Sequence, residues 1–207
     1  MLELIGYLSL IIIILLTSLV VFKIYNKSKN REKVFFKSCE EKDIKEIDFK
    51  LDEDNMIYVS NLNYTEEQFL GKFNYNANQV IDMTYAIFKS LLLYRDEDDI
   101  SDMKPNLSED LYEKYKNQLL DNKVNNRKRI FRDIKCYKGV VESFYNQNAD
   151  VLLYMSYSDY MIDTNTKEVI RGSKKEKIRV IRFRVVITID SFLLIKKQKL
   201  FEKDLIE

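Results

Sequence analysis

The sequence predicts an α+β domain held behind one N-terminal transmembrane helix. Three observations carry this. Leu4 to Phe22 is a run without a charge, apolar residues recur at helical spacing from about residue 64 to 125, and from Arg127 onward they recur at alternate positions. Helices first and consecutive antiparallel strands afterwards is the layout in which helices cover one face of a sheet. The chain divides accordingly into an anchor at 1–25, a juxtamembrane linker and N-terminal extension at 26–63, and the domain at 64–207.

The anchor is the plainest element. Its 19 residues, Leu4 through Ile11 and Leu15 to Phe22, span roughly 28 Å as a helix, close to the ~30 Å hydrocarbon core of a bilayer. Ser9, Thr17 and Ser18 can bond back to the helix's own carbonyls. A cleaved signal peptide would want a basic start and a shorter apolar stretch, whereas this chain starts Met1-Leu2-Glu3. A core helix of a soluble domain would show a polar face, and none is visible. No Lys or Arg precedes the run, while Lys23, Lys27, Lys29, Arg31 and Lys33 follow it. By the positive-inside rule the expected location is the plasma membrane, single-pass, with the soluble domain in the cytoplasm. The basic flank serves as the stop after the span or rests against anionic lipid.

Composition excludes much chemistry. The 34 basic and 33 acidic residues leave a net charge of +1, so no nucleic-acid partner is expected. The absence of His removes Ser-His-Asp and Cys-His catalysis and His-ligated zinc. Cys39 and Cys136 are too few and too scattered for a disulfide framework or a thiolate zinc site. No Gly-rich phosphate loop is present. The expectation is no metal, no cofactor and no enzyme.

Along the chain, Asn26 to Lys33 reads as a polar tether and Met56 to Val59 as a short strand. Thr65 and Gln68 fit a capping box, with Glu66 and Glu67 in the first turn. Phe69, Phe73, Ala77, Val80, Ile81, Tyr85, Phe88 and Leu92 then mark one face of a long helix to about Tyr94, with Gly71 and Asn74 to Asn78 as its weak point. Asp96 to Asp99 reads as the charged opening of a short helical turn before Pro105. It lacks the ligand spacing and central Gly of a calcium loop. Ser108 caps a helix carrying Leu111, Tyr115 and Leu119 and ending near Asn125-Asn126.

Three strand segments follow. Ile130, Ile134 and Cys136 alternate with charged neighbours in the first, and Val151, Leu153, Met155 and Tyr157 mark the second. In the third, Ile181, Phe183, Val185, Ile187 and Ile189 face away from Arg182, Arg184, Val186 and Thr188. Asp163 to Lys167 supplies a turn, and Leu193 to Ile195 with Lys199 to Phe201 a last strand.

Ala149-Asp150-Val151-Leu152-Leu153-Tyr154 leads into Asp159-Tyr160, then Asp163, Thr166, Val169 and Gly172, followed by the strand ending at Ile189. This pattern resembles the D-Y-x-x-D-x-x-T-x-x-V-x-x-G hairpin of the Tim44-like domain family. Tyr64 to Leu70 and Asn106 to Tyr112 resemble the starts of that family's helices. The resemblance covers roughly Tyr64 to Ile189 and is to a membrane-anchored, bacterial-type member of the family. It implies an NTF2-like fold, with helices packed on a curved antiparallel sheet around a hydrophobic pocket. Phe73, Tyr85, Phe88, Tyr157 and Phe183 would line that pocket or build the core. It also implies a non-catalytic scaffold that recruits a protein partner at the membrane.

Asp159 and Asp163 can be drawn as a carboxylate pair, but turn and strand-end chemistry accounts for them. Arg127, Lys128, Arg129, Arg132 and Lys135, with Lys174 to Lys177, Arg179, Arg182 and Arg184, make the strand region basic. On one exposed sheet face they would meet anionic lipid or an acidic protein; otherwise they are a solvated face. Two rival functions share the fold. A VirB8-like component of a conjugation or secretion channel carries its domain outside the membrane. A small NTF2-like enzyme would use Asp and Tyr in its pocket for acid–base chemistry.

Overall fold

The computed structural model describes residues 55–205, where three α-helices precede a meander of four long strands. The expected span, with Leu4, Ile11, Leu15 and Phe22, and the tether after it lie outside the described residues. Among the described residues no helix is long and apolar enough to cross a membrane.

Strand β1 (Ile57–Ser60) comes first. It joins the sheet, so the domain starts upstream of residue 64. Helix α1 (Tyr64–Gly71) starts two residues before the expected capping box. Asn63 is the cap: its side chain accepts from Thr65 N and Glu66 N at 3.0 Å, and Glu66 returns the bond to Asn63 N at 2.9 Å. Asn wins over Thr65 because its amide oxygen reaches two of the helix's orphan N–H groups at once. The second Glu66 oxygen accepts from Phe144 N at 3.3 Å, tying the cap to the sheet.

The expected long helix is two helices. Asn74 adopts φ 63°, which ends the first, and Asn76 caps α2 (Ala77–Asp96) through a reciprocal box with Gln79. On α2 a buried stripe runs through Val80, Ile81, Thr84, Ile87, Phe88, Leu91 and Leu92 to Arg95. That is helical periodicity carried one turn past its last apolar member. The acidic run Asp96 to Asp99 bridges two elements: its first residue closes this helix and its last leads into the expected short turn before Pro105. Asp96 is its last residue, and Asp98 adopts φ 62°. Carboxylates at a helix C-terminus oppose the macrodipole; Arg132 bonds Asp96 and Lys128 lies 3.8 Å from Asp98, offsetting that. Asp99 accepts from Ser101 N at 2.8 Å and starts a 3-10 turn, Ser101–Asn106, that contains Pro105. Ser108 caps α3 (Glu109–Val124), which buries Leu111, Tyr115, Leu119 and Asn122.

The strands β2 (Arg127–Tyr145), β3 (Asn148–Asp163), β4 (Val169–Ile187) and β5 (Phe192–Asp204) pair antiparallel in chain order. Strand β1 runs parallel to β2, so the five-stranded sheet is mixed. Asn146 and Gln147, at φ 47° and 66°, form the two-residue turn between β2 and β3, as expected of a type I′ hairpin. Register shifts interrupt every antiparallel pair, three of them in β2. A one-residue bulge adds local twist and reverses its strand's alternation beyond it. Ile181, Phe183, Val185 and Ile187 enter the core with Val151, Leu153 and Met155, while Ile189 lies past the strand end and is exposed.

Two glycines are demanded by contacts. A Cβ on Gly139 would stand 2.1 Å from Ile81 Cγ2, where α2 crosses β2. Gly172 has φ 81°, and its Cβ would lie 2.4 Å from the Asp159 carbonyl oxygen. Gly71 meets nothing within 4 Å. We therefore expect Gly139→Ala and Gly172→Ala each to cost about 1–3 kcal/mol. Gly71→Ala should be neutral or gain up to about 1 kcal/mol. Urea unfolding of the full chain in detergent, followed by tyrosine fluorescence, checks the contrast; equal effects at the three sites would contradict it.

Candidate functional site

The apolar core ends in a cluster of charges. Five elements each deliver one member: Arg95 from α2, Arg129 from β2, Asp159 from β3, Arg179 from β4 and Lys197 from β5. Arg95 arrives because the buried stripe of α2 continues to it, and it is only 3% exposed. Lys197 arrives through a bulge. Leu194 pairs with Val185 and Lys196 with Arg184, so Ile195 is skipped and the parity of β5 reverses. Lys197 then stands opposite Phe183, a core residue, instead of pointing to solvent.

The contacts are specific. Arg129 grips Asp159 bidentately, Nε and Nη2 each at 2.7 Å from a carboxylate oxygen. Arg179 donates to Glu202 at 2.7 Å and to the Tyr157 carbonyl, with its guanidinium 3.9 Å from the Tyr157 ring centroid. Arg95 stacks 4.6 Å from the Tyr115 ring and 5.3 Å from that of Phe131, and donates to Gln118 at 3.1 Å. Among the described residues it has no carboxylate within ion-pair distance, and its Nε finds no hydrogen-bond partner. The Lys197 ammonium lies 4.2 Å from the Phe88 ring centroid, the kind of cation–π contact that partly replaces water.

Burial and crowding set the protonation states. Burial pushes Arg95 down to about 10, with the Arg129 guanidinium adding repulsion. Burial, then Arg95 and Arg129, brings Lys197 down to about 7, partly opposed by Asp159. Burial alone would raise the Asp159 carboxyl, but the Arg129 guanidinium outweighs it and holds the group below the ordinary range.

Beside this cluster opens a cavity of about 620 Å³ between α3 and the sheet. Arg127, Arg129 and Arg171 line its sheet wall, with Met161 and Ile170 between them; Arg95 contributes from α2. Helix α3 supplies Asn117, Gln118, Asp121 and Asn122. The lining is thus polar, with arginine dominant.

The residues singled out from the sequence go to several places. Phe88, Tyr157 and Phe183 meet in the core, with ring centroids 4.8 Å apart for Phe88–Phe183 and 6.3 Å for Phe88–Tyr157. Phe73 joins a separate group with Phe69 and Phe144, and Tyr85 is half-buried with its hydroxyl 3.4 Å from the Ile134 carbonyl. None of these five lines the cavity. Asp163 does accept its own turn's bonds, from Asn165 N at 2.7 Å and Thr166 N at 3.0 Å, and Thr166 accepts from Glu168 N. Val169 begins β4 opposite Ile162, and Gly172 pairs with Tyr160, whose ring lies under Lys174. Asp159 is a different case: it sits within β3 and is an ion-pair partner, not a turn residue. Nor do the basic residues share one face. Arg129 and Arg179 lie with the core cluster, whereas Arg182 and Arg184 alternate to the other face and pair with Glu142 and Asp150. Among the described residues no cluster of Asp, Glu and Cys is arranged to hold a metal ion. Of the cluster residues that the sequence does not single out, Arg95 carries a signal, its place on the helical stripe; Lys197 carries none, because a bulge puts it against the core.

Compared with known proteins, the chain matches no protein-family model and no curated protein.

The state of Lys197 has a measurable consequence. Between its folded value near 7 and the ordinary 10.5, the unfolded chain binds a proton that the folded chain has released. Stability from this site therefore rises with pH across that window and its full penalty applies below it. Lys197→Met should flatten the rise and make the protein more stable at and below pH 7, by urea unfolding on both sides of the window. An unchanged pH profile would contradict the assignment.

Proposed function

We propose that the chain is a single-pass plasma-membrane protein whose domain is a non-catalytic, Tim44-like binding module of NTF2-like fold. It faces the cytoplasm and recruits a protein partner at the membrane surface. The observation that supports this most is how the acidic groups are employed. Asp159 gives both oxygens to Arg129, Asp163 serves its own turn, and Glu142 and Asp150 pair with Arg182 and Arg184. A carboxylate held below its ordinary range is a weak general base, so Asp159 works as a brace. Lys197, the group nearest to a neutral-pH base, does not line the cavity.

The fold assignment is supported by helices that lead into a bulged antiparallel meander. The Asp163 turn and the Gly172 kink fall in one β3–β4 hairpin, in the order the resemblance implies. The anchor is supported by the uncharged Leu4–Phe22 run, and the orientation by the lysines and arginine after it.

Orientation separates this reading from a VirB8-like channel component, whose domain lies outside. Cys136 is a poor reporter, because burial raises its thiol to about 12 and the thiolate is the reactive form. An Asn165→Cys variant in a Cys39→Ser background places a thiol on the exposed β3–β4 turn. In intact cells we expect an impermeant maleimide to leave it unlabelled, with labelling after permeabilisation. Labelling in intact cells would overturn the cytoplasmic orientation.

A further inference from the structure

The arginine-lined cavity has an arrangement that the scaffold reading does not use. Arg129, Met161 and Arg171 are register partners on the adjacent strands β2, β3 and β4, so they form one row across the sheet. With strands about 4.8 Å apart, the two arginines of that row are anchored roughly 10 Å from each other. Arg127 lies two residues before Arg129 on the same strand and so on the same face. Arg95 stands behind them, only 3% exposed and, among the described residues, without a carboxylate in ion-pair range.

The charges do not cancel locally. Arg129 is neutralised by Asp159, and Asp163 opposes Arg127 across the β2–β3 pair while its oxygen accepts two backbone bonds of the turn. Among the described residues Arg171 has no ion pair, and Arg95 hydrogen-bonds only the Gln118 amide. Burying a guanidinium without a counter-charge is costly, and an anion entering the cavity would remove that cost. Planar guanidinium forks match tetrahedral phosphate oxygens two at a time. The opposite wall is different in kind: the Asn117 and Asn122 amides can donate and accept hydrogen bonds, while the Asp121 carboxylate can only accept them and would repel a second anionic group. The volume is that of a small-metabolite site.

We propose that this cavity binds a small soluble phosphate ester, its phosphoryl group against the sheet-wall arginines and its hydroxyl groups against α3. The inference goes beyond the scaffold reading and does not depend on which way the domain faces.

The test uses the full chain in zwitterionic detergent and isothermal titration with ribose 5-phosphate, ribose, inorganic phosphate and dihexanoyl phosphatidylglycerol. The expected result is saturable binding of ribose 5-phosphate, weaker binding of inorganic phosphate and none of ribose. Arg171→Gln and Arg127→Gln, both at exposed side chains, should each weaken it about tenfold with unchanged circular dichroism. Asp121→Asn should narrow the preference for ribose 5-phosphate over inorganic phosphate. Absence of saturable binding would overturn the proposal, as would affinity that both arginine variants leave intact. Saturation by the short-chain lipid alone would overturn the soluble-ester assignment.

Discussion

The bidentate contact between Arg129 and Asp159 is the constraint on which the polar end of the domain depends. Asp159 supplies negative charge where three further cations converge, Arg95, Arg179 and Lys197. Each of the three was carried there by the geometry of its own element, so none can withdraw to solvent without giving up apolar packing beside it. Glu202 answers Arg179 from the edge strand. Asp159 alone faces the remainder, and its two oxygens are both committed. The cluster is held by charge, hydrogen bonding and stacking on the rings at the end of the core, those of Tyr115, Phe131, Tyr157 and Phe88.

A bulge explains why Lys197 belongs to the cluster. An unbroken β5 would keep Leu194 and Lys196 on one face and place Lys197 with the opposite set. The skipped residue at Ile195 reverses that parity, and a second shift between Val180 and Ile181 lets Lys199 pair with Ile181 and Phe201 with Val180. In β2 the shift near Asp133, at φ 56°, separates the Phe131 register from that of Cys136. These interruptions add twist to long strands that would otherwise present a flat, uniform surface. The bulge at Ile195 thus both shapes the sheet and brings Lys197 to the site.

Much of this architecture was legible because it obeys simple periods. Leu111, Tyr115 and Leu119 marked α3, and Ile181 to Ile187 marked β4, since nothing local competes with packing there. The break between α1 and α2 was visible as a weak point, although the choice of Asn63 over Thr65 as cap was not, because both types serve that position. The β2–β3 turn was invisible: Asn146-Gln147 lacks the glycine that usually announces such a turn. Asp159 was misassigned by its nearness to Asp163, since a ladder contact thirty residues away in sequence leaves no local trace. Arg95 illustrates a subtler loss. A charged residue on an apolar stripe reads as the stripe's end, when here it is the stripe's last buried member.

Bulk charge conceals this arrangement. A net charge of +1 argues against a polyanionic partner, which would respond to the summed field of the surface. It says nothing against a small anion, which responds to the few groups within reach of one cavity. On the far sheet face Arg182 and Arg184 are matched one for one by Glu142 and Asp150. Beside α3 the matching fails at Arg95 and Arg171. A chain near-neutral overall can thus still gather four arginines in one recess, where the sheet, the helix and the end of the core leave room.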